Sequence, residues 1–145
     1  MKTSDLKLGN WVSHYDNLQP FDTVSAIEFG MVHLSSKEYP DDERDLCGIS
    51  ITYSLLQKIG IVKAGKFLIL NFNAQQIIEF DIFLKTPNIL LKFQNIKVTY
   101  IHELQNILSF LLSEKECIHF SNRFRIACKL HKLNIIMREE LNEVA

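Results

Sequence analysis

Four residues late in the chain have the chemistry of a metal site. Cys117 and His119, followed by Cys128 and His131, would offer two thiolates and two imidazoles, a donor set that suits zinc. A helix over residues 121–142 would bring Cys128 and His131 toward one face. The spacing fits no finger or knuckle, however, and buried thiols with surface imidazoles are the plainer reading. The four are weak candidates and no metal is expected. Asp41, Glu43 and Asp45 imitate the opening of a calcium loop. Leu46 stands where the sharp-turn glycine belongs and Thr52 where the closing glutamate belongs, so a solvated acidic loop is expected.

Two other sets suit binding. His102, Gln105 and Asn106 are spaced three and four apart, which puts them on one side of a helix as a polar recognition strip. The plainer reading is that the same residues fasten that helix to a sheet by hydrogen bonds. Arg123, Arg125, Lys129 and Lys132 fall in a stretch without acids, interleaved with Phe120 and Phe124. That mixture could meet phosphates and stacked bases, although an amphipathic helix with a charged face has the same pattern.

Catalytic patterns leave no trace. The chain has no GxSxG, no phosphate-binding glycine loop, no HExxH and no paired CxxC. Its five glycines are too scattered to cradle a nucleotide. His14 and His33 sit in short strands without an evident nucleophile beside them. No catalytic residue and no cofactor are assigned, and an enzyme is the least supported class.

Composition narrows the frame. The 145 residues include 47% hydrophobic and 23% charged residues and ten Phe, enough for a packed core. The net charge of −1 is uneven. Residues 1–62 hold five Lys/Arg against nine Asp/Glu, residues 63–114 five against four, and residues 115–145 six against four. A sequence pI of about 6.5 argues against a dedicated nucleic-acid binder. No apolar run reaches the ~20 residues of a membrane span. The first residues lack the apolar core of a signal peptide, and three cysteines form no framework. A cytoplasmic protein with reduced thiols and no membrane contact is expected.

The elements that would position these residues follow from periodicity and punctuation. Trp11 to Tyr15, Thr23 to Phe29 and Met31 to Leu34 read as a strand meander, with Phe29-Gly30 as a tight connection. Residues 35–48 read as an exposed polar loop and Ile49 to Ile51 as a return strand. Thr52 caps a helix over Tyr53 to Ile59, and Gly60 ends it. A second meander is expected over residues 67–98, with strands at 67–72, 77–84, 89–93 and 96–98. Thr99 is placed to cap a helix over about 100–112, whose buried face would be Ile101, Leu104, Leu108 and Leu111. A last helix is expected over about 121–142, capped by Ser121.

The order of these pieces carries a resemblance. It runs from Leu6–Val12 through Ile49–Ile61 to Ile96–Leu108. His102, Leu104, Gln105, Asn106, Leu108, Phe110 and Leu112 match a late segment of the form V-H-x-L-Q-N-L-Y-F-A-L-T-G-x-E-L. Thr52, Leu56, Lys58 and Gly60 match a middle element T-x-x-x-L-x-K-x-G-F. In these features the chain resembles a family of short uncharacterised proteins from Bacteroidetes genomes and their phages or mobile elements. The resemblance covers roughly residues 5–116. Ser113 replaces the usual Thr-Gly ending, and residues 117–145 extend past the usual stop. What it implies is a fold order and a genomic setting; it transfers no catalytic residues.

The expected protein is therefore α+β and a single domain over 1–145. It has a small barrel-like lobe of short antiparallel strands with a short helix (1–62). A β-meander with a packed helix follows (63–116), then a C-terminal helical extension (117–145). The expected function is a non-catalytic protein-interaction accessory module of phage or mobile-element origin, its protein partner unknown. The alternatives are a nucleic-acid-binding accessory protein using residues 123–132 and a small enzyme or metal protein. The 117–145 extension could also exchange between copies to make a homo-oligomer.

Overall fold

A computed structural model describes residues 1–15, 21–64, 67–70, 76–79, 81–85 and 88–127. The protein is α+β. The described residues form two compact units, Met1–Ile49 and Ser50–Ala127.

The first unit is a five-stranded antiparallel sheet. Its strands are β1 (Trp11–His14), β2 (Asp22–Glu28), β3 (Met31–Leu34), β4 (Asp41–Asp42) and β5 (Leu46–Cys47), in the order β4-β3-β2-β1-β5. The core gathers Leu6, Val12, Val24, Val32, Leu34 and Leu46. Val32 and Leu34, two apart on β3, and Val24 on β2 supply its face, and Ile27 packs against it beyond a register shift between Val24 and Ala26. The turn leading into β1 needs Gly9 at φ +86, and the Asn10 side chain closes it by accepting the Lys7 N–H at 2.8 Å.

The expected barrel-like lobe is corrected in one respect: the ladder does not close into a barrel, and β4 and β5 are its two edges. These edges are consecutive in the chain, joined by a one-turn 3-10 helix, Glu43–Asp45. The segment expected as an exposed loop thus contains both edge strands, and Leu46 within it is fully buried. The return strand expected at Ile49 to Ile51 belongs elsewhere. Ser50 bridges Tyr100, and the Ile51 carbonyl accepts the Ile89 N–H at 2.8 Å within the second unit.

The second unit opens with α1 (Tyr53–Ile59), as the sequence predicts. Thr52 Oγ1 accepts the Leu55 N–H at 3.1 Å. Gly60 takes φ +92 and returns its N–H to the last turn, which only a residue without a Cβ does cheaply. Two three-stranded antiparallel sheets follow. One holds β6 (Ile61–Ala64), β7 (Phe67–Leu70) and β8 (Gln76–Glu79); the other holds β9 (Asp81–Lys85), β10 (Asn88–Phe93) and β11 (Ile96–Val98). The strand expected over 77–84 is therefore two strands in different sheets, and β6 is an addition.

Helix α2 (Ile101–Leu111) starts one residue later than expected: Tyr100 is the N-cap, not Thr99. The Glu103 carboxylate accepts the N–H groups of both Thr99 (3.1 Å) and Tyr100 (3.0 Å), which satisfies donors that the helix leaves over. Its buried face is Ile101, Leu104 and Leu108, while Leu111 is 41% exposed. Leu112 is buried instead, because the chain turns extended there and redirects the side chain inward. Residues 114–127 form α3, which begins well before the expected 121. Ser113 and Glu116 start it as a reciprocal cap: Ser113 N–H donates to the Glu116 carboxylate, and Glu116 N–H donates to Ser113 Oγ. Phe120, Phe124 and Ala127, at helical spacing, are its buried face. Among the described residues, no helix is long and apolar enough to cross a membrane.

Candidate functional site

The β2–β3 hairpin ends in a two-residue loop, Phe29-Gly30, between the paired residues Glu28 and Met31. Both loop residues have positive φ, +44 at Phe29 and +78 at Gly30. That is the mark of the turn whose twist suits a two-stranded ribbon, and it ordinarily selects Asn-Gly or Asp-Gly. Phe is a poor choice there: its Cβ crowds the following carbonyl, a cost of about 1–2 kcal/mol. Its ring recovers nothing by burial within the fold, since Phe29 is 104% exposed. The chain holds a bulky apolar ring in solvent at an apex where a small polar residue would fold better.

The surroundings of the apex are built. Glu43 N–H donates to the Gly30 carbonyl at 2.9 Å, which anchors the loop to the 3-10 turn. The Glu43 carboxylate lies beside Gly30 and accepts the Thr3 N–H at 2.8 Å. Asp42, next along, holds Arg44 in a two-pronged pair at 3.0 and 2.9 Å. The side-chain hydrogen bond from Arg44, helped by its backbone N–H, lowers the Asp42 carboxyl from an ordinary 3.8 to about 2. The Arg44 guanidinium is pushed up in turn, first by that bond and then by the charges of Asp42, Asp45 and Glu43. Glu28, on the other flank, has a side chain 71% exposed and 3.9 Å from His33 Nε2. The acids expected to form a solvated loop are thus divided between structural contacts and an acidic border around Phe29.

The residues singled out by sequence fall as follows. His102 is buried at the start of α2 and stacked on Tyr100, with ring centroids 5.8 Å apart and planes 9° from parallel. Gln105 and Asn106 are half-buried one turn further on, so the part of the strip that reaches solvent is these two. Arg125 is exposed on α3, while the Arg123 guanidinium lies over Gly60, at the C-terminal end of α1. A cation there meets the negative end of the helix dipole, which gives Arg123 a role in the fold. Lys129 and Lys132 lie outside the described residues. Cys117 and His119 are both on α3, with Cys128 and His131 outside the described residues. Burial, with Glu116 and Glu114 nearby, pushes the Cys117 thiol up and disfavours the thiolate that a metal or an electrophile needs. Among the described residues, no three His, Cys, Asp or Glu side chains gather into a metal cluster.

One further pair has the chemistry for proton transfer. His14 is buried, with Nε2 3.9 Å from Asp41 Oδ2, and Asp41 Oδ1 accepts from Lys37 Nζ at 2.9 Å. The neighbouring hydroxyl, Ser13 Oγ, donates to the His14 carbonyl rather than toward the imidazole. This pair links strands β1 and β4.

Sequence reasoning placed the Phe29-Gly30 turn but not its significance. The available signal was a large apolar residue occupying the asparagine position of an x-Gly hairpin turn. Comparison with protein-family models, curated proteins and solved structures finds no match.

Proposed function

We propose that this chain is a non-catalytic protein-interaction module, an accessory protein acting in the cytoplasm and of phage or mobile-element origin. The observation that carries the reading is Phe29: fully exposed, apolar, and held in left-handed backbone at the apex of a hairpin. Magnitudes favour it. Burying a Phe ring against a partner is worth about 1.5–3 kcal/mol, as large as or larger than the about 1–2 kcal/mol of backbone strain that the folded chain carries alone. A local conflict of this kind persists where function outweighs stability. The genomic setting rests on the resemblance carried by Thr52, Gly60, His102, Gln105 and Asn106.

The test is a tagged pull-down of the full chain from a Bacteroidetes lysate, with and without nuclease, read by mass spectrometry. A stoichiometric protein partner that survives nuclease is expected. Recovery of the bait alone, or enrichment that disappears with nuclease, would refute the reading.

A further inference from the structure

We propose that Phe29 enters an apolar pocket on a partner protein and that Lys or Arg side chains line the rim of that pocket. This rests on the interaction reading above and adds the chemistry of the partner. The shape follows from the neighbours of Phe29. Glu28, 71% exposed at its side chain, flanks it on one side, and Gly30, with the Glu43 carboxylate beside it, flanks it on the other. Ile27 and Met31, next along each strand, are half-buried. A flat apolar face would meet the ring and the flanking carboxylates of Glu28 and Glu43 together, whereas a pocket takes the ring alone and leaves the carboxylates at its mouth. Aromatic anchors set in desolvated pockets are the usual form of such contacts.

The sign of the rim follows from charge. Glu28, Asp42, Glu43 and Asp45 border the apex or the 3-10 turn anchored to it, against Arg44 and Lys2. Asp42 and Arg44 satisfy each other, and the remaining carboxylates, Glu28, Glu43 and Asp45, outnumber Lys2, so the local balance is negative. The sequence of residues 1–49, with four bases against nine acids, has the same sign. A basic rim would steer and hold this surface. An anionic bilayer or a nucleic acid would set phosphates against carboxylates.

The experiment places a photoreactive benzoylphenylalanine at position 29 of the full chain, with Tyr39, 74% exposed, as the control position. Irradiation in a Bacteroidetes lysate is followed by mapping of the adduct to a residue. The expected result is one protein adduct specific to position 29, its attachment site apolar and bordered by Lys or Arg. Its yield should fall at least about fivefold from low to high salt, and similarly in a Glu28→Lys background. An adduct on lipid, on nucleic acid or on a second copy of the chain would overturn the proposal. So would an attachment site without basic neighbours, or a yield indifferent to salt and to Glu28→Lys. If position 29 gives no adduct while the unmodified chain still captures a nuclease-resistant protein, the interaction reading stands and this site falls. If the unmodified chain captures none, both fall.

Discussion

Replacing Phe29 by Asn should make the protein more stable and a worse binder. The ring is 104% exposed, so its removal forfeits no buried apolar area and opens no cavity. What changes is the backbone at φ +44, where Asn is several-fold enriched over other non-glycine residues. Recovering part of the about 1–2 kcal/mol of left-handed strain gives a gain of about 0.5–1.5 kcal/mol, or a rise of about 2–6 °C in melting temperature. Gly at the same position should gain less, because it adds about 0.5–1 kcal/mol of unfolded-state freedom. Ala, which keeps a Cβ, should gain almost nothing. The assay is urea unfolding followed by circular dichroism across the series, paired with partner capture. A loss of stability in Phe29→Asn would mean that the ring packs within the fold, and equal gains from Ala and Asn would mean that strain is not the cause. Either result would remove the argument for this apex.

Three other perturbations probe the rest of the molecule. Gly60→Ala should cost about 1–2 kcal/mol through its left-handed backbone. It should also displace Arg123, because the new Cβ would overlap Nη1 and come within 3.3 Å of Cζ. In an Arg123→Ala background the displacement part, about 0.5 kcal/mol of charge–dipole interaction, should vanish; additive unfolding energies in the four-member cycle would contradict the contact. The Asp42 carboxyl should titrate at about 2 by NMR and move up toward 3.8 in Arg44→Ala. A depressed carboxylate stabilises above its unfolded value, so this contribution is present at neutral pH and fades as pH falls from about 4 toward 2. The Arg44 side chain is 85% exposed, so the effect should shrink with salt. Finally, Cys117 should react with iodoacetamide at pH 8 more slowly in the folded chain than after unfolding, since burial and its glutamates disfavour the thiolate. Glu114→Gln should restore only a fraction of the rate; equal rates folded and unfolded would show that the thiol is not shielded.

How much of this was readable beforehand depended on how locally each signal was written. Helix α1 was legible because its cap, its apolar period and its stop fall within nine consecutive residues, Thr52 to Gly60. The edge strands β4 and β5 were not, because two-residue strands carry no period, and acids at 41, 42, 43 and 45 hide the one buried residue, Leu46. The strand read across residues 77–84 failed for the opposite reason: an unbroken apolar alternation cannot show that the chain changes sheets. Helix α3 begins at Ser-Glu-Lys-Glu, a capping box in plain view at 113–116, and was missed because the apolar period was followed instead of the cap. At the candidate site the turn was legible and the exposure was not. A Phe before Gly between two strands is equally compatible with a ring folded onto the sheet, and only the position of the chain decides.

Gln94 separates strain from function within the same molecule. It too has left-handed backbone, φ +55, in the Gln94-Asn95 loop that joins β10 to β11 between the paired residues Phe93 and Ile96. Its side chain is polar and exposed, so it is content in water and needs no partner. Backbone strain alone therefore marks no site; what distinguishes Phe29 is strain joined to an apolar ring that the fold leaves uncovered. Gln94→Asn should relieve a comparable fraction of the left-handed cost, again about 0.5–1 kcal/mol by urea unfolding, and should leave partner capture unchanged. If Gln94→Asn and Phe29→Asn stabilise alike but only the second abolishes capture, the ring and not the rigidity of a hairpin is what the partner reads. If both abolish capture, recognition depends on the ease with which turns deform, and the pocket argued for Phe29 has no basis.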